Sequence, residues 1–161
     1  MKKSSILAIV VAIILIPLGM WWFSPEQVLK RRTEHLMDVM TISDGTGRPL
    51  RQAKVFSMNG LMADQVTISS REIPDADGTF DKQEMESAFS WICQNAKESK
   101  MRIVSFGDIE VNDESAKVEV MVDADMDLPG TRSVSGYYFL TIDWIKKGDG
   151  WRYEKIEAKK K

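Results

Sequence analysis

An alternation of apolar and polar side chains in the second half of the chain is the feature that most constrains its fold. Val118, Val120 and Val122 stand at every second position, and the alternate positions are Lys117, Glu119, Met121 and Asp123. A period of two places the apolar side chains on one face of a β-strand and the polar side chains on the other. Related patterns predict strands over 102–111, 116–126, 134–145 and 151–158, with turns at 112–114 and 147–150. We expect these four strands to form an antiparallel meander.

The first half of the chain has the period of a helix instead. Ser24, Pro25 and Gln27 are typical of a helix start: a capping serine, a proline at the first helical position and a glutamine that completes a capping box. Apolar residues on one face continue this helix to about Thr41. A second, weaker helix is predicted over 49–62.

A third helix is predicted after a short strand within 65–73 and a turn at 74–78. Asp81 is its expected N-cap, because Glu84 follows three residues later. The apolar residues that repeat at helical spacing are Met85, Ala88, Phe89, Ile92 and Ala96. We expect the adjacent Cys93 to be a small buried packing residue rather than a nucleophile. Helices followed by a meander predict an α+β fold in which the helices pack on an antiparallel sheet.

An uncharged run from Ile6 to Phe23 precedes this predicted domain. At about 1.5 Å per residue, a helix over the run is about 27 Å long, enough to cross the hydrocarbon core of a bilayer. Trp21, Trp22 and Phe23 close the run, as aromatic residues do at a membrane interface. We expect a retained signal anchor at 1–23, a domain at 24–158 and a basic tail at 159–161 that frays. The alternative is a cleaved signal peptide, which would leave a secreted soluble domain.

The charges that flank the run bear on the orientation of the anchor. Lys2 and Lys3 precede it, whereas Lys30, Arg31 and Arg32 follow it, so the positive-inside rule does not decide between the two orientations. We favour an internal amino terminus, because a short N-terminal anchor behaves like an uncleaved export signal. This predicts a single-pass protein of the inner membrane, with its domain on the periplasmic, extracytoplasmic side of the lipid bilayer.

The composition excludes several classes of function. The chain has 22 basic and 24 acidic residues, and its net charge of -2 excludes a nucleic-acid binder that acts through bulk charge. Its one Cys excludes a disulfide scaffold and a Cys-rich metal site. Asp123, Asp125 and Asp127 alternate as at the start of a calcium loop, but Leu128 replaces the turn glycine and Val134 the bidentate glutamate. We expect no metal and no cofactor.

The order of these elements resembles that of the nuclear transport factor 2-like superfamily, over about residues 24–158. The segments that carry the resemblance are 24–29 (SPEQVL), 108–111 (DIEV), 116–120 (AKVEV) and 148–153 (GDGWRY). The resemblance implies a cystatin-like cone, in which helices pack across a strongly curved antiparallel sheet. Members of the superfamily include isomerases, dehydratases and polyketide cyclases that act inside the cone, and noncatalytic binding and dimerisation modules. They also include the tethered periplasmic domain of a single-pass assembly subunit of type IV secretion systems.

Two residues of the first helix are candidates for ligand binding. Arg32 falls among the apolar positions, between Val28 and Leu36, and in a pocket it could bind an anionic ligand. Alternatively, its stem covers apolar surface while its guanidinium reaches lipid phosphate. His35 is the only imidazole and could border a cavity mouth, or it is simply a partly exposed helix residue.

Exposed aromatic positions are candidates for partner binding. Trp91 projects from the polar side of the third helix, where it either contacts a partner or is covered by the loop at 74–80. Tyr137, Phe139 and Ile145 share one face of the long strand over 134–145, while the opposite face is also apolar. If both faces of the sheet are apolar, each face needs another element or molecule packed against it. The helices supply one, and a protein partner or a second copy in a homodimer could supply the other, because sheet-to-sheet dimers are common in the superfamily that the chain resembles.

These observations favour a membrane-anchored, noncatalytic binding or assembly module of the bacterial cell envelope, acting as an accessory subunit of a membrane complex. The alternative is a small-molecule enzyme or ligand carrier of the polyketide cyclase or isomerase type, with Arg32 or His35 at the mouth of its cone. The interior of the cone distinguishes the two. A cavity with a buried carboxylate or imidazole favours the enzyme, and an interior filled by large apolar side chains favours the module.

Overall fold

The computed structural model of the 161-residue chain describes residues 22–71, 76–127, 129, 133–148 and 150–161. Its three helices are α1 (Pro25–Met40), α2 (Arg48–Leu61) and α3 (Lys82–Asn95). Its six strands are β1 (Met62–Ser70), β2 (Gly78–Asp81), β3 (Glu98–Val111), β4 (Ser115–Asp127), β5 (Val134–Lys147) and β6 (Gly150–Lys160).

The helix starts read from the sequence are confirmed, although at α1 the described residues show only the Ser24 half of the predicted capping box. The Ser24 side chain accepts a hydrogen bond of 3.4 Å from the Gln27 backbone N–H, which satisfies one of the free donors at the start of α1. At α3, the Asp81 carboxylate accepts from the Glu84 N–H at 2.8 Å, and the Glu84 carboxylate accepts from the Asp81 N–H at 2.9 Å. Both halves of this capping box are therefore present.

The apolar stripe of α3 differs from the prediction at one position. Phe89 and Cys93 are buried, and Met85 and Ile92 pack against the same core, but Ala88 is exposed. Ala88 lies at the edge of the predicted stripe, and the helix is rotated so that Cys93 takes the inward place. Cys93 is buried, as expected of a packing residue.

The six strands form one sheet in the order β2-β1-β6-β5-β4-β3. The predicted meander of β3 to β6 is confirmed, and each of its neighbouring pairs is antiparallel. The predicted short strand is also present as β1, but it pairs in parallel with β6, in the register Thr67 to Lys155 and Ser70 to Ala158. The sequence did not predict β2, which forms an antiparallel pair with β1, because four residues are too few for a recognisable alternation.

The expectation that the basic tail frays is wrong. Strand β6 continues through Lys160, and the register places Lys159 opposite Phe139 and Lys160 opposite Tyr138. The long strand β5 therefore provides a backbone partner for the tail.

The core lies between the sheet and the helices. Bulges in β3, after Ile103 and Phe106, and in β6, at Glu154, bend the strands, and the sheet curves around the helices. Trp144 and Tyr153 are almost completely buried and meet edge to face, with ring centroids 6.1 Å apart. The other large side chains buried to the same degree are Leu29, Leu36, Val39, Ile42, Leu61, Met62, Val66, Val118, Val122 and Ile142.

Among the residues described, no helix has both the length and the apolar character needed to cross a membrane. The predicted anchor at 1–23 lies outside the described residues, except for Trp22 and Phe23.

Candidate functional site

The interior of the cone is filled mainly by apolar side chains. In the part of the chain that the structure describes, no Asp, Glu, Lys, Arg or His side chain is buried, and Thr33, Ser70 and Ser99 are the buried residues of polar type. Two interior polar atoms, Thr33 Oγ1 and Trp144 Nε1, have no hydrogen-bond partner within that part. The interior can therefore supply a hydroxyl and an indole N–H, but no described group that is charged at neutral pH.

Tyr153 is an ionisable side chain that is almost completely buried in the cone. Its hydroxyl donates a hydrogen bond to Met58 Sδ at 3.2 Å, and burial raises its pKa well above the usual value near 10.0. A phenol in this environment stays protonated at neutral pH. It fixes the contact between β6 and α2 rather than acting as a base.

The two predicted ligand-binding residues do not share an enclosed site. Arg32 is half-buried, and its guanidinium lies against the turn between β5 and β6, with Nη2 only 2.6 Å from the position that a Cβ at Gly150 would take. His35, one turn further along α1, is exposed. A role in ligand binding stays a prediction for both residues.

The aromatic residues at the start of the described chain are exposed and tied to α1. Phe23 is 75% exposed and Trp22 is 52% exposed. The Arg31 guanidinium donates a hydrogen bond of 2.9 Å to the Trp22 carbonyl oxygen and stacks over the Trp22 ring at 4.7 Å from its centroid. Trp22 is thus held against the first helix, whereas Trp21 lies outside the described residues.

The outer side of the sheet carries a second aromatic patch, here called the sheet face (Met121, Tyr137, Phe139 and Ile145). Tyr137 and Phe139 are each 48% exposed, and Ile145 is half-buried. In the antiparallel register, Phe139 lies opposite Met121. Exposed ion pairs, Arg102 with Asp123 and Lys155 with Glu157, lie on the neighbouring strands.

Helices α2 and α3 lie side by side and run in opposite directions. At one end, Arg51 Nη1 donates to the carbonyl oxygens of Cys93 and Ala96, at 2.6 and 2.9 Å. At the other end, Asn59 Nδ2 donates to Glu86 Oε2 at 2.6 Å. These bonds fix the start of α2 beside the end of α3.

A groove with two lobes, of about 570 and 720 Å³, runs between these helices on the outer side of the cone. Val55, Ser90 and Gln94 contribute to both lobes, so they mark the middle of the groove. Trp91 lines one lobe and is 46% exposed. The helical face is defined here as the side chains of α2 and α3 that line the groove or are exposed beside it, mainly Arg48, Gln52, Phe56, Glu84, Glu86, Ser87 and Trp91.

Sequence reasoning identified Trp91 but missed Phe56, which is 84% exposed on α2. The missing information was the rotation of α2 about its axis. The side chains of Arg51 and Lys54 point towards the rest of the protein, and Lys54 Nζ donates a hydrogen bond of 2.7 Å to the Asp38 carbonyl oxygen. In this orientation of α2, Phe56 and Leu50 are exposed to solvent. The available signal was the stripe Leu50, Ala53 and Phe56, which carries no charge.

Cys93 contributes to the groove without being a reactive thiol. Burial raises the pKa of its thiol, and Arg51 and Lys54 offset only part of this effect. The thiol is therefore protonated at neutral pH, as expected for a packing residue.

No protein-family model matches the sequence, and neither does any curated protein. Solved structures do match the fold. A nuclear transport factor 2-like protein from Cytophaga hutchinsonii is 13% identical, with a TM-score of 0.60 over 86% of this chain and 100% of that one. A protein with a cystatin-like fold from Caulobacter vibrioides is 9% identical, with a TM-score of 0.63 over 83% and 87% of the two chains.

A third similar structure is a proposed dehydratase of the nuclear transport factor 2-like family from Streptomyces avermitilis. It is 12% identical, with a TM-score of 0.60 over 82% of this chain and 92% of that one. At these identities the likeness concerns the fold alone. The chain therefore has the nuclear transport factor 2-like, cystatin-like cone fold, with helices packed on a curved six-stranded sheet.

Proposed function

We propose that this chain is a single-pass, membrane-anchored, noncatalytic binding or assembly module of the bacterial cell envelope, acting as an accessory subunit of a membrane complex. The observation that carries the proposal is the distribution of large side chains. Trp144 and Tyr153 are buried inside the cone, whereas Phe56, Trp91 and Phe139 are exposed on its outside. Exposed aromatic side chains around a groove or on a sheet are typical anchors of protein interfaces.

The anchor is supported by the uncharged run at 6–23 and by the exposed aromatic residues that end it. Trp22 and Phe23 have the amphipathic and apolar character that suits the headgroup level of a bilayer. Because Arg31 holds Trp22 against α1, an anchor that ends here would carry the domain immediately beside the membrane. An inner-membrane location with an extracytoplasmic domain follows from the orientation that we favour.

A second candidate function is a small-molecule enzyme or ligand carrier that uses the cone. Its specific support is that two interior polar atoms, Thr33 Oγ1 and Trp144 Nε1, have no partner among the described residues. A bound ligand could supply a partner for such an atom. This candidate has less support than the module, because the described interior provides no buried carboxylate or imidazole for acid–base chemistry.

Two measurements on the full chain in bacterial cells test the proposal. The first is alkaline carbonate extraction of the membrane fraction, compared with a variant that lacks residues 1–21. The full chain should stay with the membrane, and the shortened variant should not. Release of the full chain by carbonate would overturn the anchor.

The second measurement is photo-crosslinking from single positions on the domain. A benzophenone amino acid at 91 or at 139 should give a discrete protein adduct in the membrane fraction. The same group at 108, an exposed position on β3, serves as the matched control and should give none. Absence of adducts from both 91 and 139 would overturn the assembly role. A small molecule that co-purifies with the domain and is lost in Thr33→Val would support the enzyme or carrier instead.

A further inference from the structure

The outward surface of α2 has an unusual distribution of charge. A solvated helix normally turns its charged side chains to water and its apolar side chains to the protein. In α2, Arg51 and Lys54 bind backbone carbonyl oxygens of neighbouring elements, while Leu50, Ala53 and Phe56 are exposed. Such an arrangement is expected where the outward side of a helix is covered by another molecule.

The middle of the helical face has the composition that is typical of the core of a protein interface. Trp91 lines the groove from α3, and Phe56 is exposed on α2, next in sequence to Val55 in the middle of the groove. The exposed residues between and beside them, which carry no charge, are Gln52, Ala53, Ser87, Ala88 and Gln94. Interface cores are depleted in charge and enriched in aromatic anchors that fit into pockets, and this zone has both features.

The two ends of the helical face carry opposite charges. Because the helices are antiparallel, Arg48 lies at one end, and Glu84 and Glu86 lie at the other. At about 1.5 Å per residue, Arg48 is about 10 Å from the level of Val55, and the two glutamates are about 6 to 9 Å from the level of Ser90 in the opposite direction. The charges are therefore placed at similar distances on either side of the middle.

We propose that a second copy of this chain docks on the helical face, related to the first by a two-fold axis. The axis lies in the plane of the face and crosses α2 and α3 at the level of Val55 and Ser90. It places Arg48 of each copy over the end of the other copy's groove that Glu86 lines, and it brings Phe56 opposite Phe56 and Trp91 opposite Trp91 of the two copies. The surface is thus complementary to itself, as an isologous interface requires.

The remaining charges near the face do not oppose this arrangement. Lys147 and, more weakly, Lys82 lower the pKa of the Asp64 carboxyl, so Lys82 has an acidic neighbour on β1 as well as on α3. Lys54 is directed to Asp38 on α1. The inference rests on the proposed function in one respect, since it names the partner that the assembly module binds through this face.

The test of the aromatic centre is sedimentation velocity of the full chain in detergent, over a range of protein concentrations. Trp91→Ala and Phe56→Ala should each weaken the dimer about tenfold or more, the scale of interface hot spots. Val104→Ser, on β3, is the matched control, because Val104 and Trp91 are both 46% exposed. A dimer that the two helical-face variants leave unaffected would overturn the inference, and weakening by Phe139→Ser instead would place the interface on the sheet face.

The test of the two-fold axis is a charge exchange. Arg48→Glu and Glu86→Lys, each studied alone, place like charges together twice and should leave monomers. When the two variants are mixed, each contact again joins opposite charges, so a heterodimer should form with nearly the affinity of the unchanged chain. Its formation also shows that both variants are folded. Failure of the mixture to associate, or persistence of either variant as a dimer, would overturn the axis.

The outcomes separate this inference from the proposed function. In one outcome, the chain stays in the membrane and crosslinks to a different protein from position 91 while remaining monomeric in detergent. That result would support the proposed assembly module and overturn the homodimer. If carbonate releases the chain while dimers survive and respond to the charge exchange, the result would support the homodimer interface and overturn the membrane anchor.

Discussion

The guanidinium of Arg51 donates a hydrogen bond of 2.6 Å to the backbone carbonyl oxygen of Cys93, across the boundary between α2 and α3. The same Nη1 atom reaches the Ala96 carbonyl oxygen at 2.9 Å, and Nε reaches the Thr46 carbonyl oxygen at 2.8 Å. One side chain thus satisfies carbonyl groups at the end of α3 and in the loop before α2. Its positive charge also complements the negative end of the α3 dipole.

We predict that Arg51→Gln lowers the free energy of unfolding by about 1.5 to 3 kcal/mol, because charged hydrogen bonds to half-buried carbonyl groups are lost. Urea denaturation followed by tryptophan fluorescence measures this change. Arg71→Gln, at an exposed position just after β1, is the control and should change the stability by less than about 0.5 kcal/mol. Equal stabilities of the two variants would show that Arg51 does not hold α3 in place.

The capping box of α3 gives a second prediction. Asp81→Ala removes the acceptor for the Glu84 N–H and should cost about 1 kcal/mol. Asp81→Asn keeps a side-chain oxygen at the same place and should be nearly neutral. Thermal unfolding followed by circular dichroism distinguishes the two variants. A loss of the same size in both would mean that the charge of Asp81, rather than its cap, is responsible.

Tyr153 predicts how stability changes at alkaline pH. Burial raises the folded-state pKa of its phenol above the unfolded value near 10.0, so the folded state retains a proton that the unfolded state loses. The stabilising contribution is complete below pH 10 and is lost as the pH rises towards the folded-state pKa. Over that range, Tyr153→Phe should reduce the fall in unfolding free energy by about 1.4 kcal/mol per pH unit.

At neutral pH the same variant loses only the hydrogen bond to Met58 and should cost about 1 kcal/mol. Urea titrations at pH 7 and at several pH values above 10 measure both effects. An unchanged pH dependence in Tyr153→Phe would contradict the burial of a neutral phenol at this place.

Replacement of Thr33 by valine is expected to increase the stability of the domain. Its Oγ1 atom is buried on α1 and has no hydrogen-bond partner among the described residues. Valine has nearly the same shape without the hydroxyl, so Thr33→Val should stabilise the domain by about 1 kcal/mol. Thr33→Ser, which keeps the hydroxyl and loses a methyl group, is the matched control and should destabilise. A loss of stability in Thr33→Val would indicate that the hydroxyl has a partner, such as a bound ligand.

The parts of the fold that depend on neighbouring residues could be predicted from the sequence. The capping residues Ser24 and Asp81 mark the helix starts, and the alternation around Val118 predicts a strand with one buried face. These signals are local, because each depends on the backbone within a few residues. The cone fold was expected from the order of these elements.

The parts that depend on distant residues could not be predicted in this way. The parallel pairing of β1 with β6 joins Thr67 to Lys155, and no local pattern encodes that partner. The exposure of Phe56 likewise depends on where Arg51 and Lys54 find carbonyl oxygens, on α3 and α1. Trp91 was identified because its position opposite Phe89 and Cys93 on α3 can be read from the helical period alone.

The position of β6 between β1 and β5 has a consequence for synthesis of the chain. The last of the six strands in chain order is an interior member of the sheet, and the early hairpin of β1 and β2 has no other strand to pair with until β6 has been synthesised. Closure of the cone therefore waits for β6. A nascent chain that stalls before residue 150 would expose the open edges of both β1 and β5 to chaperones and proteases.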